Sequence, residues 1–166
     1  MQEMVIYGVS FDLVGKQPIV LLKTTEGNKF LPIWIGHPEA AAILMKLQGA
    51  STPRPMTHDL VTDILTQLDA QVVRITVTEL RESTFYAQIT VQQDGSEVEI
   101  DSRPSDAIAL AIRAEAPIFA ADRVIEESAI EFEGEEVNEE EIVSEFKRFL
   151  DHVSPDEFAV EEEDEG

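Results

Sequence analysis

From Met4 the chain alternates, with Val5, Tyr7, Val9, Phe11 and Leu13 on one parity and Ile6, Gly8, Ser10, Asp12 and Val14 on the other. A period of two predicts a strand whose first set forms one well-buried face. Gly15-Lys16-Gln17-Pro18 reads as a turn, Ile19 to Leu22 begin a second strand, Glu26-Gly27-Asn28 turn again, and Phe30 to Ile35 form a third strand. The opening is therefore a three-stranded meander. Gly36 ends it. A helix over Pro38 to Gln48 follows, with Pro38 where a missing N–H costs nothing and Gly49 placed to close the C-terminus. Thr57 is the predicted N-cap of an amphipathic helix whose face is Leu60, Val61, Ile64, Leu65 and Leu68, expected to lie on the sheet.

The second half follows the same plan. Val73, Ile75 and Val77 alternate with Arg74, Thr76 and Thr78; after Glu82-Ser83-Thr84, Phe85, Ala87, Ile89 and Val91 alternate with Tyr86, Gln88, Thr90 and Gln92. Asp94-Gly95 is a hairpin signal, and Val98 and Ile100 mark a shorter third strand. That strand runs into Ser102-Arg103-Pro104-Ser105-Asp106, where Ser105 is the predicted N-cap and Asp106 the first-turn acid. Residues 107–112 are apolar without a break before Pro117 stops the run. A helix apolar all round belongs in the centre of a domain. Ile118 to Ala120 read as a short strand. Further on, Asn138 with Glu141 resembles a capping box, and Ile142, Val143, Phe146, Phe149, Leu150 and Val153 form a stripe that must be buried on the body or on a neighbouring chain.

The pattern predicts an α+β fold: a mixed, mostly antiparallel twisted sheet built from two three-stranded meanders with packed helices, plus a C-terminal helix. The expected division is a domain over 1–134, a docking helix over 135–158 and an acidic tail without fixed structure over 159–166.

Composition narrows the function classes. The chain has 166 residues and no cysteine, which excludes disulfides and thiol chemistry and fits a reducing cytoplasmic compartment. No apolar run reaches the ~20 residues needed to span a bilayer, so no membrane is expected. Residues 122–166 hold 19 Asp/Glu and 3 Lys/Arg and so carry −16 of the net −22. That acidity is expected to weaken any nucleic-acid binding. Gly-rich phosphate loops, paired metalloprotease histidines and the Gly-x-Ser-x-Gly elbow are all missing from the sequence.

Polar residues collect instead at helix starts: His37 and Glu39; Arg54, His58 and Asp59; Arg103, Ser105 and Asp106. Two of these starts share an order, Arg54-Pro55-Met56-Thr57-His58-Asp59 and Arg103-Pro104-Ser105-Asp106. Carboxylates can hold a divalent cation, imidazole can move a proton, and guanidinium can pair a phosphate. Taken singly, each position is explained by capping or ion pairing ahead of catalysis. His58 is the histidine singled out, because Arg54 and Asp59 are close to it in sequence.

The same stretches resemble the bifunctional nuclease (BFN) domain family of bacteria and plants. They are Leu31-Pro32-Ile33-Trp34-Ile35-Gly36 with Glu39-Ala40-Ala41-Ala42-Ile43; Arg54 to Leu60; Thr84-Phe85-Tyr86-Ala87; and Ser102 to Ala111 with Pro117-Ile118. The resemblance covers residues 4 to about 121 in the family's order. It implies an α+β fold, DNase and RNase activity, a DNA or RNA substrate and a homo-oligomer, and it assigns no catalytic residue. Roles therefore follow from chemistry: His58, Asp59 and Asp106 as catalytic groups, Arg54, Arg103 and Ser105 as substrate-binding groups, and Glu39, Asp59 and Asp106 as ligands for Mg²⁺ or Mn²⁺. His58, Asp59, Arg103 and Asp106 are expected in one shared cleft. The alternative expectation is a non-catalytic oligomeric module that binds a small anionic ligand or a protein partner at these helix starts.

Overall fold

The computed structural model describes residues 1–11 and 17–131. The predicted turn at Gly15-Lys16, the C-terminal helix and the acidic tail lie outside the described residues. Among the described residues eight strands form one mixed sheet: β1 (Gln2–Phe11), β2 (Pro18–Thr24), β3 (Lys29–Trp34), β4 (Ala70–Arg81), β5 (Thr84–Gln93), β6 (Ser96–Ser102), β7 (Ile118–Ala120) and β8 (Ile130–Glu131). Their order is β6-β5-β4-β7-β1-β2-β3-β8. β1, β2 and β3 pair antiparallel in succession, as do β4, β5 and β6. β7 joins the two halves, antiparallel to β1 and parallel to β4. Asp94 and Gly95 both take positive φ, which matches the twist of the β5–β6 hairpin. Glu82 and Ser83 do the same between β4 and β5, without a glycine.

Four helices complete the described fold: α1 (His37–Leu47), α2 (Thr57–Gln67), α3 (Pro104–Ala114) and α4 (Asp122–Ser128). α3 is the central one. Ala107, Ile108, Ala109, Leu110 and Ala111 are buried in the main core with Val20, Leu22, Leu31 and Ile33 of the first meander and Val72, Ile75, Val77, Ala87, Ile89 and Val91 of the second. α4 and β8, which no sequence pattern announces, add Val124 and Ile125 to that core and extend the sheet at β3.

Three local expectations are corrected. Helix α3 begins at Pro104, with Arg103 as N-cap, so Ser105 is the second helical residue and is buried. Proline is pre-organised for a first helical position, and it moves the start forward. The cap of α2 is Met56 rather than Thr57, because Met56 N–H donates to the Asp59 carboxylate at 3.0 Å. In β1 the predicted buried face is reversed at its start. Met4 is buried and Ile6 packs on the core, whereas Val5 and Tyr7 are exposed. A bulge between Ile6 and Gly8 then changes parity, so that Val9 rejoins the core. One extra residue flips every later side chain.

Helix α2 packs on α3 and β4, yet none of its residues is fully buried. Val61 and Leu65 meet the core, and Leu60, Ile64 and Leu68 stay about half exposed. The predicted five-residue apolar face is thus only partly covered by the described residues.

Candidate functional site

The first turns of α1, α2 and α3 meet, and their third helical positions are all acidic: Glu39, Asp59 and Asp106. That position lies at the positive end of the helix dipole and within reach of the N-cap N–H. His58 Nε2 lies 2.8 Å from Asp106 Oδ1. A carboxylate accepts only, so Nε2 carries the proton of this bond, and the tautomer it selects has its lone pair on Nδ1. Among the described residues that Nδ1 has no hydrogen-bond partner. The ring is well enclosed, with 13 % of its side chain exposed.

Asp106 uses its other oxygen for Arg103, whose Nε and NH2 donate at 3.0 and 2.8 Å. The same NH2 reaches Glu39 at 2.7 Å. Asp106 first, and then Glu39, holds the Arg103 guanidinium above its ordinary pKa, so it is a fixed cation. It is also 66 % exposed, which leaves it accessible from solvent. His58, Asp106, Arg103 and Glu39 are therefore one connected cluster drawn from three helices.

Asp59 belongs to a different contact set. Successive residues on a helix do not face the same way, and its neighbour in sequence, His58, bonds to Asp106 instead. Asp59 Oδ1 accepts from Arg113 Nε at 2.7 Å. Arg113, 7 % exposed, also donates to Ala109 O at 2.9 Å and Ala42 O at 3.1 Å. One side chain thus ties α1, α2 and α3 together behind the cluster. Sequence reading passed over Arg113, although one signal was available: an arginine on a helix otherwise apolar all round must bring its own partners inside.

Arg54 is exposed in the loop before α2, and its side chain makes no ion pair among the described residues. It lines a cavity of about 380 Å³ with Lys46, Thr52, Asp59, Asp63 and Arg113, beside the cluster rather than in it. Ser105, buried in the first turn of α3, makes none of the cluster's contacts. The expected single cleft is therefore split: His58, Arg103, Asp106 and Glu39 join, while Asp59 and Arg54 face the neighbouring cavity.

The expected metal ligands are divided in the same way. Glu39 and Asp106 share Arg103, Asp59 is taken by Arg113, and no three His, Asp or Glu among the described residues form a group able to hold a metal ion. These carboxylates already have cationic partners, so the donor set does not fit Mg²⁺ or Mn²⁺ in this arrangement.

Two predictions follow from the packing here. Gly36 is the N-cap of α1 with ordinary φ, but a Cβ on it would strike the Glu39 carboxylate. Gly36→Ala is expected to push Glu39 off Arg103 while changing stability by no more than about 1 kcal/mol, because one partner is largely exposed. Chemical denaturation and the Arg103 Nε–H resonance test this; an unchanged resonance refutes it. The second concerns acid. The Met56 N–H bond and then Arg113 hold the Asp59 carboxyl below its ordinary pKa of 3.8. A depressed folded pKa adds stability that is complete above the ordinary value and lost as pH falls through the folded one. The stability gap between the protein and Asp59→Asn should shrink from about pH 5 downward. A gap constant down to pH 2 refutes this.

Residues 20–133 match the bifunctional nuclease domain family. An uncharacterized protein of Mycobacterium tuberculosis is 37% identical over 164 residues, which is 95% of this chain and 98% of that protein. Bifunctional nuclease 1 of Oryza sativa subsp. japonica is 28% identical over 109 residues, 63% of this chain but 33% of the rice protein. Bifunctional nuclease 1 of Arabidopsis thaliana is 27% identical over 105 residues, 61% of this chain and 32% of its own length. Among the described residues no helix is long and apolar enough to cross a membrane.

Proposed function

The chain belongs to the bifunctional nuclease domain family, and from that premise we propose that it hydrolyses phosphodiester bonds of DNA or RNA at the His58–Asp106–Arg103 cluster. The observation that carries this reading is the His58–Asp106 bond of 2.8 Å, which leaves Nδ1 as the ring's proton acceptor. Asp106 fixes the tautomer and orientation of the ring. Nδ1 takes the proton of the attacking water or ribose hydroxyl, and Arg103 pairs the phosphate oxygens as charge builds on them. The phosphorus–oxygen bond to the leaving strand breaks, the departing oxygen takes a proton from solvent water, and His58 returns its proton to solvent. Glu39 aims Arg103, and Arg113 positions the start of α2 that carries His58. Lys46 and Arg54, in the adjoining cavity, extend the phosphate path. No step is routed through a metal.

The test is an assay of highly purified full-length protein on single- and double-stranded DNA and RNA, with Mg²⁺, Mn²⁺ or a chelator. Cleavage that persists in chelator is expected. Cleavage only with added Mg²⁺ or Mn²⁺ overturns the metal-free step. Anion binding without cleavage under any condition overturns the nuclease reading in favour of a binding module. We also infer that the protein works as a homo-oligomer, a reading supported by the half-exposed Leu60, Ile64 and Leu68 on α2. Light scattering at micromolar concentration that returns 18.5 kDa overturns this.

A further inference from the structure

Strands β2 and β3 are apolar on both faces. Val20, Leu22, Leu31 and Ile33 point into the main core. Ile19, Leu21 and Phe30 point the other way, yet they are 0, 8 and 1 % exposed. Trp34 and Ile130 pack against them, and the Tyr7 ring meets Phe30 edge-on with centroids 5.3 Å apart. Among the described residues this second cluster is made of strand side chains, and the described helices pack into the main core on the opposite face. Side chains on the outer face of a sheet lose all contact with water only when something lies across them. No described element does so.

The chain indicates its own candidate. It leaves the described region at Glu131, in the two-residue strand β8 that pairs with Lys29 and Phe30 of β3, at the rim of this face. The residues beyond include the stripe Ile142, Val143, Phe146, Phe149, Leu150 and Val153 at helical spacing. The connection from Glu131 to Ile142 can span about 35 Å when extended, against the ~15 Å across a few neighbouring strands.

We propose that the outer face of β1–β3 and β8 is the seat of the chain's own C-terminal apolar stripe, residues 142–153, docked within one molecule. The face hides Phe30 and Ile19, and the stripe supplies the apolar area that must be hidden in return. The docked segment lies across the sheet from α1–α3, so the cluster around His58 stays open to substrate.

The absence of cysteine makes a clean test possible. A nitroxide on Asp151→Cys, placed off the stripe in the full-length protein, should broaden the methyl signals of Ile19, Leu21 and Ile130. Those of Leu60 and Ile64 on α2 should be spared. Failure to broaden the first set overturns the proposal. Broadening seen only when label and isotope are on different copies also overturns it, in favour of a second copy of the chain. The double variant Phe146→Ser with Phe149→Ser is the independent check. Trp34 is the single tryptophan, and its emission should shift to the red and become more open to acrylamide, with far-UV dichroism retained. Unchanged Trp34 emission and quenching overturn the proposal.

Discussion

His58→Ala should lower phosphodiester cleavage by about 10²–10⁴-fold, the usual contribution of a positioned acid–base group. The fold should survive, because His58 lies in the first turn of a helix with no fully buried residue and its described side-chain hydrogen bond is to Asp106. Asp106→Asn separates the orienting role from a structural one. An asparagine can turn its NH₂ toward Nε2 and so favour the opposite tautomer, with the proton on Nδ1 where acceptance is needed. Cleavage should then fall by a similar factor, with unfolding by urea nearly unchanged. Single-turnover kinetics on a short oligonucleotide provide the measurement. A His58→Ala variant with wild-type activity, freed of contaminating nuclease, removes the cluster from catalysis.

The largest stability effect is expected at Arg113. Its guanidinium is almost wholly enclosed and serves Asp59, Ala109 O and Ala42 O. Arg113→Met keeps much of the aliphatic volume but removes the bonds to the Ala42 carbonyl and to Oδ1 of Asp59, whose Oδ2 keeps the Met56 N–H. Hydrogen bonds to charged groups contribute about 1.5–3 kcal/mol, and breaking a buried pair costs more, so a loss of roughly 2–4 kcal/mol is expected. Asp59 is partly exposed, which keeps the value below that of a fully buried pair. Arg113→Lys should recover little, since an ammonium is a point charge and cannot reproduce the planar fork that spans three helices. The readout is the urea midpoint at constant m-value. A loss under 1 kcal/mol in Arg113→Met overturns the bridging role.

Local pattern determined much of this protein. Alternation around Ile75 and Ile89, the Asp94-Gly95 turn, and the unbroken apolar run at 107–112 report the strand period, the hairpin geometry and the central position of α3, because each is a property of neighbouring residues. The motifs at Arg54 to Asp59 and Arg103 to Asp106 were legible as helix starts for the same reason. What they could not reveal was pairing. His58 stands next to Asp59 in sequence and bonds to Asp106, 48 residues away; Arg103 reaches back 64 residues to Glu39; Arg113 closes on Asp59 across 54. Direction within a helix turns about 100° per residue, so adjacency in sequence separates side chains that the packing of three helices then assigns to other partners. The bulge at Tyr7 is the same lesson in a strand: alternation states that two faces exist, and only the register against β2 decides which one is buried.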